Sequence, residues 1–126
     1  MNVATWVAQG LLAFAFLAAG GMKLASPREK LLAAGKSMAW VGDFPGWAVK
    51  VIGVLELLGA VGVVLPALLG TAPVLTPLAA VGLAVVMTGA VVTHLKRREA
   101  ALLAGPVLLG LLAVFVAVMR FVPMAS

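Results

Sequence analysis

The stretch VIGVLELLGAVGVVLPALLGTAPVLTPLAAVGLAVVMTGAVVTHL, residues 51–95, holds a single charged side chain, Glu56. It is about twice as long as a helix rising ~1.5 Å per residue needs to cross a bilayer core of ~30 Å. Near its middle stand Pro66, Gly70, Pro73 and Pro77, residue types that break helices and make turns. The block therefore reads as two spans, at about 45–65 and 74–95, joined by a short turn. Working outward, Met1–Met22 and Ala100–Met119 are uncharged as well. Each is long enough for one more span, at about 3–25 and about 100–121. The expected fold class is all-α: an integral membrane four-helix bundle, with all 126 residues in a single transmembrane domain. The first run has no basic residue before it and exceeds the roughly 7–15 apolar residues of a cleaved leader, so it is expected to be retained.

Composition agrees. The chain is 64% hydrophobic and 10% charged, whereas soluble domains carry roughly 25% charged residues. It has no cysteine and one histidine. No disulfide, thiolate metal site, iron–sulfur cluster or bis-histidine haem can then be built within one copy. No intrinsic cofactor and no metal site are expected, and a redox role would need a partner's cofactor or a bound quinone or lipid.

The net charge of +5 is placed by topology and does not read as a nucleic-acid footprint. Lys23, Arg28, Lys30 and Lys36 fall near the first connection, with Lys50 just inside the second span, and Lys96–Arg98 fill the third connection. With four spans these connections share one side, which the positive-inside rule makes cytoplasmic. Expected is a multi-pass protein of the bacterial inner membrane, both termini outside and the basic loops cytoplasmic. Trp6 and Trp47 suit the two interfaces.

Ser26-Pro27-Arg28-Glu29 has the form of a capping box with proline at the first helical position. The helix it opens, about 27–41, is too short and too charged to be a span. Leu31, Leu32, Met38 and Val41 give it an apolar face, so it is expected to lie at the interface between the first two spans. Gly42–Gly46 breaks the chain before the second span. Gly105 and Pro106 are expected inside the fourth span, as a kink.

A carboxylate at bilayer depth is costly and usually has a partner or a task. Glu56 lies eleven residues past Pro45, roughly 16 Å into the core. Lys23 is shallower, but its stem adds roughly 6 Å of reach, so the two heads can meet if the first two spans are neighbours. Thr88 is roughly 12 Å deep and is a candidate hydrogen-bond partner; His94 lies nearer the rim. These four residues, Glu56, Lys23, Thr88 and His94, form the expected intramembrane polar site. A protonated Glu56 would donate a hydrogen bond and could carry a proton, whereas an ionised one would be half of an interhelical clasp or a counter-ion. Gly53, Gly59, Gly62, Gly82 and Gly89 read chiefly as helix-packing positions, with room for a ligand as the rival reading.

Three groups of residues carry a resemblance. Gly20-Gly21-Met22-Lys23-Leu24 resembles the Gly-x-x-Lys-Leu end of the first helix in the DoxX-like family of small bacterial membrane proteins. Glu56, Gly59, Gly62 and Leu65-Pro66 are similar to that family's second-helix pattern. Met87-x-Gly89-Ala90, His94 and Arg97-Arg98-Glu99 are similar to its third-helix ending. One departure is that the first span lacks an arginine many members have near its start; Gln9 is the polar residue at comparable depth. The resemblance implies a four-helix membrane bundle. Some members are associated with quinone-linked sulfur oxidation or membrane oxidoreductase assemblies in oxidative stress, and distant animal relatives chaperone ion-channel subunits.

The favoured function is a non-catalytic binding or assembly subunit. It would hold a lipid-soluble ligand, with a quinone as one candidate, or a partner membrane subunit or second copy, in a respiratory or oxidative-stress complex. The alternative is a small proton-coupled transporter using Glu56, although four-helix drug exporters carry their lone glutamate in the first helix among aromatics. An enzyme using Glu56 and His94 ranks third, because their depths differ; no catalytic residue is assigned.

Overall fold

The computed structural model describes residues 2–72 and 74–125; Pro73, expected near the start of the third span, lies outside them. The helices are α1 (Asn2–Ala25), α2 (Arg28–Leu32), α3 (Gly46–Gly62), α4 (Leu65–Leu69), α5 (Leu75–Lys96) and α6 (Ala104–Ala125). A 3-10 segment, Lys36–Asp43, follows α2, and a shorter one, Ala100–Leu102, precedes α6. Among the described residues, four stretches are long and apolar enough to cross a membrane: Val3–Ala25, Gly46–Leu69, Leu75–Lys96 and Ala100–Phe121. The protein is an all-α, multi-pass membrane bundle.

The four long helices form a ring in which α1 packs on α3, α3 on α5, α5 on α6 and α6 back on α1. Leu12 and Phe16 of α1, Val63 beside α3, Leu83 of α5 and Val116 of α6 fill the centre. Large apolar side chains elsewhere on the helices point outward, as a lipid-facing surface allows.

Glycines set how closely the helices approach. A Cβ on Gly20 would lie 2.7 Å from the Gly53 carbonyl oxygen, and one on Gly53 would lie 3.0 Å from the Lys23 Cβ. At the α3–α5 seam a Cβ on Gly59 or Gly62 would run into Leu83 or Ala79. Gly53, Gly59 and Gly62 are therefore packing positions, where backbone-to-backbone contact replaces side chains. Gly82 and Gly89 are not: a Cβ on either would meet nothing within 4 Å.

The expected helix over 27–41 is instead two short pieces. Gly35 takes φ +125°, a conformation open to glycine and not to a continuing helix. The capping box does not form, since α2 has no side-chain cap and Pro27 stands at its N-cap. Leu31, Met38 and Val41 are buried, but against Val49, Trp40 and Phe44 of the protein itself; Leu32 is exposed.

Two prolines also act differently from expectation. Pro66 opens α4 and does not end the second span, because its missing N–H costs nothing in a first turn. The helix breaks earlier, at Val63–Val64. Pro106 falls in the first turn of α6, so it makes no kink within the helix.

Candidate ligand cavity

The approach of Gly20 to Gly53 determines what happens one turn further along each helix. Residues i and i+3 share a helix face, so Lys23 follows Gly20 and Glu56 follows Gly53 into the same seam. Lys23 Nζ lies 2.8 Å from Glu56 Oε1, with both side chains buried. The contact is close enough for an ion pair but not aligned as a hydrogen bond, and Oε1 is left without a hydrogen-bond partner among the described residues. Lys23 Nζ also stands 5.8 Å from the centre of the Trp40 ring, within the range of a cation–π contact. Trp40 meets Phe44 edge-on at 5.6 Å.

These groups line one cavity of about 450 Å³, within the range of small-molecule sites. Phe16 and Ala19 come from α1, Ile52 and Glu56 from α3, Gly89, Thr93 and His94 from α5, and Gly105 and Pro106 from α6. Trp40 and Phe44 bring the 3-10 segment and the residue after it into the wall. The lining is mostly apolar, with polar side-chain atoms on Lys23, Trp40, Glu56, Thr93 and His94. The Thr93 hydroxyl donates to the Gly89 carbonyl at 2.9 Å, so its hydrogen is already used.

Of the four site residues expected from sequence, three share this cavity and one does not. Thr88 is exposed and donates to the Ala84 carbonyl of its own helix. Depth alone suggested it; its neighbour Met87 faces the core, and a step of ~100° turns Thr88 away. His94, expected at the rim, is buried in the cavity wall. The cavity's length along the helices brings it and Glu56 to one space despite their different depths.

His94 is held from behind. α5 ends with Arg98 at φ +58°, and the Glu99 amide donates to the His94 carbonyl while that of Arg98 donates to Leu95. This closing turn folds Glu99 back so that its Oε1 lies 2.9 Å from His94 Nδ1. Arg97 Nε donates to the same Oε1 at 3.2 Å, and Arg97 Nη1 to Asp43 Oδ2 at 2.7 Å. The hydrogen bond with His94 is the main reason the Glu99 carboxyl stays below its ordinary pKa, with Arg97 adding to it. The chain His94–Glu99–Arg97–Asp43 thus ties the cavity wall to the 3-10 segment.

Two further polar arrangements carried no recognised signal in the sequence. Lys50 donates to the carbonyls of Lys23, Leu24 and Ser26, satisfying the open C-terminal end of α1 and complementing its dipole. At the opposite end of the bundle, fully buried Gln9 donates to the Val63 carbonyl at the helix break and accepts from Arg120. Arg120 also lies 5.1 Å from the Trp6 ring centre. The basic spacing pointed to neither, because each pairing joins residues far apart in the chain.

A family model described as DoxX-like matches residues 7–116. The chain belongs to the DoxX-like family. No curated protein and no solved structure matches it. The range shared with the DoxX-like family contains Gln9, Lys23, Glu56, His94 and Glu99, and ends before Arg120.

Proposed function

We propose that this DoxX-like protein is a non-catalytic membrane subunit that binds a lipid-soluble ligand in the Lys23–Glu56 cavity. The observation that carries this reading is the buried ion pair in the wall of an apolar cavity. An interhelical clasp needs no adjacent space, whereas a binding site does. An amphiphile would place its polar head near the pair and its apolar body among Phe16, Trp40 and Phe44; a quinone and a lipid are two ligands of that form. A partner membrane subunit, or a second copy, would receive or deliver the ligand.

The test is purification in mild detergent followed by mass spectrometry of the co-purifying lipids, quinones and proteins. A stoichiometric small amphiphile in the wild type, reduced in Glu56→Gln, supports binding; no retained molecule under several mild detergents contradicts it. The transporter alternative requires Glu56 to leave Lys23 in each cycle, and loss of proton-coupled uptake in Glu56→Gln proteoliposomes would favour it.

The orientation proposed places the basic connections in the cytoplasm of a bacterium and both termini outside. Its support is that Lys23, Lys50, Arg97 and Asp43 meet at one end of the bundle while Arg120 lies at the other. A cysteine-free chain makes the check direct: Arg98→Cys should react with a membrane-impermeant maleimide only after the membrane is opened. Labelling of intact cells would reverse the orientation.

A further inference from the structure

The cavity's hydrogen-bonding groups restrict the head that an occupant can carry, an inference that rests on the cavity being a ligand site. An ionised carboxylate only accepts hydrogen bonds. Glu99, held in its charged form by His94 and Arg97, therefore requires His94 to donate from Nδ1 across the 2.9 Å contact. In the neutral ring the other nitrogen, Nε2, is then an acceptor. His94 lines the cavity and Glu99 occupies its Nδ1, so Nε2 is the ring nitrogen left for a ligand. Glu56 Oε1 faces the Lys23 ammonium at 2.8 Å and is closed to a ligand. Thr93 cannot serve Nε2, because its hydroxyl hydrogen goes to Gly89.

Charge narrows the choice further. A cationic head would meet Lys23, which already stands against Glu56 and the Trp40 ring. An anionic head would meet Glu56 and bring no hydrogen for Nε2. A neutral head with carbonyl or ether oxygens alone, an oxidised quinone included, would leave Nε2 buried and unfilled, which is penalised. The reduced, hydroxyl-bearing form of a quinone would fill it. We propose that the cavity selects neutral amphiphiles whose head bears a hydroxyl, with the O–H donated to Nε2 of His94 and the apolar body lying against Phe16, Trp40 and Phe44. Glu99 is the positioning residue that fixes which His94 nitrogen faces the ligand.

The experiment is a native mass-spectrometry titration of the detergent-solubilised full chain at pH 8. The probes are 4-decylphenol and its methyl ether 4-decylanisole, which differ in one hydroxyl hydrogen. The wild type is expected to bind the phenol about ten-fold or more tightly than the ether. His94→Phe should bring the two within about two-fold while both still bind, since shape is kept and the acceptor is lost. Glu99→Leu should also cut the preference, because Nδ1 loses its acceptor and the ring is free to carry its hydrogen on Nε2. Equal binding of the two probes by the wild type overturns the hydroxyl selectivity while leaving the cavity as a ligand site. Binding of neither probe removes the ligand-site reading as well. An unchanged preference in folded Glu99→Leu overturns the role given to Glu99.

Discussion

Two buried polar clusters lie at opposite ends of α1, and they are built differently. At one end Gln9 both donates, to the Val63 carbonyl, and accepts, from Arg120. Arg120 stands near Trp6 as well. At the other end Lys23 and Glu56 meet at 2.8 Å, and a cavity opens beside them. The first cluster is what a bundle needs where a helix breaks inside the membrane: a side chain for the exposed carbonyl and a charge held by its neighbours. The second adjoins open space, with His94 in the same wall. Burial and polarity alone do not separate a clasp from a site; the adjoining volume does.

The largest effect that could break this comparison comes from removing one partner of the ion pair. Lys23→Ala is expected to destabilise the bundle by about 3–5 kcal/mol, because Glu56 is left buried and unpaired. The double change Lys23→Met with Glu56→Leu should recover most of that loss in a denaturant titration in micelles. Next, Gly53→Val should cost up to about 3 kcal/mol, since its side chain would push on the Lys23 stem and the Gly20 carbonyl. Gly89→Val, where a Cβ meets nothing within 4 Å, should leave the thermal midpoint almost unchanged. Arg120→Met should cost about 1–2 kcal/mol through the lost hydrogen bonds to Gln9, yet leave ligand binding at the far end as it was. The smallest effect is one of pH. Glu99 titrates lower in the fold than in the open chain, so its stabilisation is complete above the ordinary glutamate range and declines as pH falls through the lowered value. Thermal midpoints measured downward from pH 6 should fall less steeply in Glu99→Gln than in the wild type.

Much of the fold was legible in the sequence because the bilayer imposes simple lengths. Uncharged runs and the Pro66–Pro77 cluster located four long helices to within a few residues. The details set by local backbone chemistry were harder to read. The capping-box pattern at Ser26–Glu29 did not produce its cap, and Gly35 divided a helix whose apolar periodicity looked continuous. In the site, Lys23 and Glu56 could be matched by depth, because the lysine stem adds reach from a shallower position. Depth misled for Thr88, which is at a suitable level but on the outward face; the position of Met87 relative to the core was the missing information. Glu99 was read only as part of a basic turn. Its return to His94 depends on a left-handed residue at Arg98, which the residue type does not announce.

If the space beside Lys23 and Glu56 is a binding site and the Gln9–Arg120 cluster a clasp, filling the first removes a ligand and breaking the second does not. Gly89→Phe tests this most directly, because Gly89 lines the cavity and has open space where a side chain would go. Native mass spectra of the protein, purified identically in mild detergent, would be compared for wild type, Gly89→Phe and Arg120→Met. The prediction is a bound amphiphile in the wild type and in Arg120→Met, and its loss from a folded Gly89→Phe. The same bound species persisting in Gly89→Phe, or lost only from Arg120→Met, would contradict the assignment.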